Sequence, residues 1–173
     1  MIQLFTELQE KKNVRSNLSA LRASLKEATE EQKAQAIEFV RGHEDLVFGF
    51  LQEEDAKTRK NAALLLGDLA VQNALQPLWK AYTREQTLFV KSAYLEAMKA
   101  LHAEEILSQL KDRLAELEGE PVTEENRKHW EAELRALRAI LIQYEGIDTH
   151  HFDIKQKNNH VLLVTNRNHR GIL

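Results

Sequence analysis

The sequence predicts an all-α fold, and three observations carry that prediction. Of the 173 residues, 26 are Leu and 19 are Ala, both strong helix formers, whereas Gly and Pro number only six and two. Apolar residues recur at spacings of three and four, as in Leu107, Leu110, Leu114 and Leu117, then Trp130, Leu134, Leu137, Leu141 and Tyr144. Helix-start signals also recur along the chain. A β-sandwich or barrel would need turn residues about every 8–12 positions, which this composition cannot supply. An apolar content of 43% is enough to build a core, so disorder over most of the chain is excluded too.

The elements follow in order. Helices are expected over 2–12, 15–27, 29–41, 44–53, 55–71, 73–82, 85–102, 104–118 and 123–145. The first rests on apolar spacing alone. Thr29-Glu30-Glu31-Gln32 has capping-box spacing, in which hydroxyl and amide satisfy orphan backbone N–H groups, and Gly42 stands where a left-handed C-cap would close that helix. Asp55, Asn73 and Thr123 are candidate N-caps, and Thr83-Arg84-Glu85-Gln86 repeats the capping-box spacing before 85–102. Glu124 and Glu125 place negative charge at a positive helix end, and Gly146 stands at the far end of 123–145. Helices this amphipathic gain most of their stability by packing on one another.

Charge divides the chain near Gly146. Residues 1–145 carry 20 Lys and Arg against 25 Asp and Glu; residues 146–173 carry four against two, together with four of the seven His. The expected organisation is therefore a helical domain over 1–145 and a β segment over 146–173. In that segment Phe152 and Ile154 alternate with Asp153 and Lys155, Lys157-Asn158-Asn159 suits a turn, and Val161-Leu162-Leu163-Val164 suits a second strand. A strand pair alone is marginal, so 146–173 reads as the start of a further domain of a longer protein.

An internal repeat is the strongest signal. Thr58 to Leu69 superposes on Val90 to Leu101 at an offset of 32 residues, and the same offset carries Leu46 onto Leu78, Leu75 onto Leu107 and Leu78 onto Leu110. Helix pair 15–41 fits this pattern more loosely, and 104–145 is lengthened by Glu118-Gly119-Glu120-Pro121-Val122. Ala62, Ala63 and Gly67 are small enough for neighbouring helices to approach closely.

From Leu51 to Leu78 these residues resemble a HEAT repeat: Asp55 at the turn, Arg59 four residues on, the Ala62-Ala63 pair, the Leu66-Gly67-x-Leu69 step, then Ala74-Leu75-x-Pro77-Leu78. The resemblance covers about 44–118 and implies a HEAT-like α-α superhelix, a solenoid, ending here in a short C-terminal β-hairpin or strand pair. Asn61 and Lys99 depart from the pattern, at positions where small residues are usual.

On that architecture the second helix of each pair lines a concave face. The candidate binding residues beside their apolar stripes are Arg59, Lys60, Lys91, Lys99, Arg127, Lys128, Arg135 and Arg138, with Arg167 and Arg170 in the C-terminal segment. Their basic character against an acidic total points to an anionic partner; the competing reading is solvated faces with pairs such as Glu131 and Arg135. Residues Val161 to Leu173 resemble the opening of a THUMP-type region, which implies an RNA methyltransferase dependent on S-adenosylmethionine further along a longer protein. Asn158, Asn159, Asn166, Asn168, His160 and His169 suit RNA contacts, although the stacking aromatics of single-strand binders are missing.

The expected function is thus a noncatalytic interaction module of a larger cytoplasmic protein, with a protein partner or RNA, positioning RNA for the downstream methyltransferase that the resemblance implies, and with a pure protein–protein scaffold as the alternative. A HEAT-like DNA glycosylase is a further alternative, disfavoured by the sequence pI near 6.2. No Gly-rich phosphate loop, Gly-x-Ser-x-Gly elbow or dinucleotide fingerprint occurs, so no catalytic or cofactor-binding residue is assigned. Asp148, His150, His151 and Asp153 crowd four donors together, but an extended segment points His150 away from His151, so no metal site is assigned. Cysteine is absent, which removes disulfides and thiol chemistry. No apolar run approaches the roughly 18 residues of a membrane span, and the N-terminus lacks a secretory pattern, so a cytoplasmic location is expected. Oligomeric state is not encoded in any of these signals.

Overall fold

The computed structural model describes residues 1–145, 152–157 and 160–165, and the first of these stretches is helical with short connections. Its α-helices are α1 (Ile2–Gln9), α2 (Val14–Leu25), α3 (Glu30–Gly42), α4 (Glu44–Gly49), α5 (Ala56–Asp68), α6 (Leu75–Arg84), α7 (Leu88–Ala100), α8 (Leu107–Gly119) and α9 (Arg127–Glu145). Short 3-10 turns at Phe50–Gln52, Gln72–Ala74 and Ala103–Ile106 lead out of α4 and into α6 and α8.

Several starts follow the side chains that announced them. Thr29 accepts from the Gln32 N–H while the Gln32 side chain accepts from Thr29, a complete capping box. The Asp55 carboxylate accepts from the backbone N–H and the hydroxyl of Thr58, both at 2.8 Å. Thr123 and Asn126 exchange the same kind of reciprocal bonds ahead of α9.

Other signals resolve differently. Thr83 does not open a helix: it lies in the last turn of α6 and its hydroxyl donates to the Lys80 carbonyl. Glu85 serves the next helix instead, its carboxylate accepting the N–H groups of Gln86 and Thr87 at 3.1 and 3.0 Å. Asn73 sits within the 3-10 turn before α6, and its amide donates to Glu44. Gly42 ends α3 without a left-handed residue; among the described non-glycine residues Lys11, Asn13 and Ala70 adopt positive φ.

The chain divides into two compact units, Met1–Ala103 and Glu104–Leu173. In the second unit α8 packs on α9. In the first unit α1 packs on α2, α2 on α5, α5 on α7, and α6 on α7. The α3 helix sends Phe39 to stack on Phe5 of α1, with ring centroids 4.4 Å apart.

The contact of α5 with α7 depends on small side chains. Ala62 and Ala63 are fully buried, Gly67 is buried, and a Cβ built on Gly67 would stand 2.9 Å from the Cα of Ala97. At the 32-residue offset Thr58, Ala62, Ala63, Leu65 and Leu66 correspond to Val90, Tyr94, Leu95, Ala97 and Met98, and all ten are buried. Leu65, Leu66, Leu75 and Leu78 surround this seam, each fully buried Leu contributing roughly 1.5–3 kcal/mol of transfer free energy.

In the second unit Arg113 of α8 clasps Glu133 of α9 at 2.9 and 3.2 Å, and the Trp130 indole donates to the Leu117 carbonyl at 2.6 Å. Trp130 is thus a core residue with its polar edge satisfied. Strands β1 (Phe152–Lys157) and β2 (His160–Thr165) pair antiparallel, from Phe152 opposite Thr165 to Lys157 opposite His160. Asn158, Asn159, Asn166, Asn168, His169 and the Asp148–His151 stretch lie outside the described residues, as do Arg167 and Arg170.

Candidate interaction cleft

A cleft of about 840 Å³ opens in the first unit. One wall is the α4 end and the following 3-10 turn, through Phe48, Leu51 and Gln52; the other is α6, through Gln76, Pro77, Trp79, Lys80, Ala81 and Arg84. Pro77 falls in the first turn of α6, where a missing N–H costs no helical bond. Gln76, Lys80 and Arg84 follow one another at a spacing of four and share one helix face. Glu53 and Glu54, from the connection into α5, complete the rim.

The floor holds a buried polar network. Arg59, one turn into α5, donates from Nε and Nη2 to both oxygens of Glu85 at 2.8 and 3.0 Å, and from Nη1 to the carbonyls of Glu53 and Glu54, each at 2.8 Å. The Tyr94 hydroxyl of α7 donates to the Leu51 carbonyl at 3.3 Å and lies 3.5 Å from Glu85. Glu85 is only 5% exposed at its side chain, yet both oxygens of its carboxylate accept hydrogen bonds. Burial alone would raise its pKa; the Arg59 guanidinium and the Thr87 and Gln86 N–H groups outweigh that and hold it below the ordinary value. Burial likewise pushes the Tyr94 hydroxyl up, with the Glu85 charge adding to it, so the phenol stays neutral.

Chemically, this network binds and braces. Its carboxylate is saturated by donors and its phenol is kept protonated, so neither is poised as a general base. Among the described residues no group of three or more His, Asp and Glu is arranged to hold a metal.

The predicted cations separate into kinds. Arg59 is bound up in the network just described. Lys91 stands over the Tyr82 ring, 5.3 Å from its centroid. Arg138 is 15% exposed and lies 3.6 Å from Glu118. Lys99, Lys128 and Arg135 are exposed, and Lys60 and Arg127 half-buried. Lys60, Lys91 and Lys99 belong to α5 and α7 of the first unit; Arg127, Lys128, Arg135 and Arg138 belong to α9 of the second. The cleft is walled by α4 and α6, with Arg59 of α5 and Tyr94 of α7 at its floor.

Sequence reasoning missed Glu85 and Tyr94 as members of a site. An Arg one turn past an N-cap opposes the helix dipole and calls for an anion, which is a usable signal, but the partner lies 26 residues away. Trp79 is half-buried and lines the cleft.

No protein-family model matches the chain, and neither a curated protein nor a solved structure matches it significantly. Among the described residues no helix is long and apolar enough to cross a membrane.

Proposed function

We propose that the chain is a noncatalytic helical-repeat interaction module whose first unit is a short solenoid that binds a protein segment. The observation that carries this reading is the equivalence of α5 and α7: five positions 32 residues apart are buried in both, with Gly67 allowing the close approach. Helix pairs that repeat one contact build rigid surfaces for partners, because each layer hides its apolar edge only against the next.

A protein partner is favoured over RNA because three of the eight described candidate cations turn to internal partners: Arg59 to Glu85, Lys91 to Tyr82 and Arg138 to Glu118. Nonspecific RNA affinity rests on cations free to release counterions from phosphates.

The test is selection of a random-peptide display library on the full chain, beside titration with transfer RNA at several salt concentrations. The expected outcome is an enriched peptide consensus and no RNA binding above that of an acidic control protein. Salt-sensitive RNA binding with no enriched peptide would overturn the reading.

A further inference from the structure

We propose that the cleft between α4 and α6 binds an extended peptide with an apolar central residue, an acidic residue toward α6 and a basic residue toward Glu53 and Glu54. This inference rests on the interaction-module reading and names its site and the chemistry of its partner.

Three features of the cleft support it. Its lining includes apolar side chains that are partly uncovered: Trp79, Phe48 and Pro77 are half-buried, so each retains surface that a partner side chain would cover. Its rims carry opposite charge. Lys80 and Arg84 lie exposed on α6, and Glu53 and Glu54 lie exposed on the connection into α5. Arg59 and Glu85 neutralise one another beneath them, so the rims set the field of the cleft.

The third feature is amide chemistry. Gln52, Gln76 and Gln86 are exposed around the opening. Each side chain offers both a donor and an acceptor, the pair that an extended main chain needs and that a helix has already spent internally. The length agrees: ten residues of α6 span about 15 Å, room for about four or five residues of extended chain at ~3.3 Å each.

The experiment takes the peptides enriched on the full chain and measures their affinity for three variants. Lys80→Glu with Arg84→Glu alters exposed side chains and is expected to weaken the consensus peptide about tenfold or more, while its acid-to-base reversed analogue gains. Glu53→Lys with Glu54→Lys is expected to do the same at the basic position, leaving the Arg59 bonds to the two backbone carbonyls in place. Trp79→Ala is expected to abolish measurable binding, with circular dichroism checking that the helices persist. Enriched peptides that bind all three variants as tightly as the parent would overturn the cleft assignment while leaving an interaction module in place. No enrichment would overturn both.

Discussion

In α5, Arg59 meets Glu85 through two hydrogen bonds of 2.8 and 3.0 Å and spends its remaining donors on two backbone carbonyls. In α9, Arg138 stands 3.6 Å from Glu118, and its Nε and Nη2 and the Glu118 Oε1 are buried without a hydrogen-bond partner. Both arginine side chains are mostly covered, 16% and 15% exposed. Taking such charges out of water costs several kcal/mol per ion, and only geometry repays it. Accordingly the Arg59 pKa is raised, chiefly by the bond to Glu85, whereas burial pulls that of Arg138 down. Two pairs of the same composition thus differ in kind: the first is closed by hydrogen bonds on both carboxylate oxygens, the second stands at 3.6 Å with buried donors unpartnered.

Breaking the first pair has the largest expected effect. Glu85→Ala leaves Arg59 buried without its anion, strips the acceptor from the Gln86 and Thr87 N–H groups and removes the carboxylate beside Tyr94. A loss of about 3 kcal/mol is expected, read from urea unfolding. Glu85 also sets a pH dependence. Its folded pKa lies below the ordinary 4.5, so its stabilising share is full above that value and is lost as pH falls through the folded one. Glu85→Gln should therefore flatten the acid side of the stability profile; an unchanged acid limb would show that other carboxylates govern it.

Gly67 comes next. An added methyl would meet backbone rather than a flexible tip, so the helix propensity gained by Ala is outweighed and Gly67→Ala should cost about 1–3 kcal/mol. Gly42→Ala, with nothing within 4 Å of the new carbon, should leave stability unchanged or raise it by up to about 1 kcal/mol. Equal effects at the two glycines would mean that α5 and α7 are not in the close contact described.

The Arg138 and Glu118 pair supplies the opposite sign. Replacing both with apolar residues of similar length, Arg138→Met with Glu118→Leu, should stabilise the chain by about 1 kcal/mol, whereas Arg59→Met with Glu85→Leu should destabilise it. A double substitution that weakens both regions alike would erase the distinction between them.

Much of the first unit was legible because it is encoded locally. Thr29, Asp55 and Thr123 satisfy N–H groups three residues away, and Ala62, Ala63 and Gly67 announce close packing by size alone. What could not be read depends on distance or competition. Thr83 and Glu85 offer overlapping signals for the same turn, and the winner is decided by Arg59, 26 residues earlier. The cleft was equally hidden, since periodicity shows which side of a helix is apolar but not how far apart two first helices stand. Of the basic residues named from the sequence, Lys99 is exposed and Lys60 half-buried, while Arg59 illustrates that a basic residue beside an apolar stripe can be turned inward.

The smallest effect concerns a cap that the sequence disguised. Past the end of α5, Ala70 adopts φ 50°, the Val71 N–H bonds to the Leu66 carbonyl and the Ala70 N–H to the Gly67 carbonyl, both at 3.0 Å. This is the left-handed C-terminal closure for which Gly is the usual residue, here carried by a residue whose Cβ crowds the following carbonyl. Ala70 is exposed, so its methyl contributes little packing to offset that strain. Ala70→Gly should therefore stabilise the chain by up to about 1 kcal/mol, even though Gly gains entropy in the unfolded state. The comparison is sharpest with Gly67→Ala, since the two substitutions exchange the same pair of residues three positions apart with opposite expected signs. If Ala70→Gly destabilised instead, the left-handed closure of α5 would be wrong, and with it the path of the chain from α5 into α6.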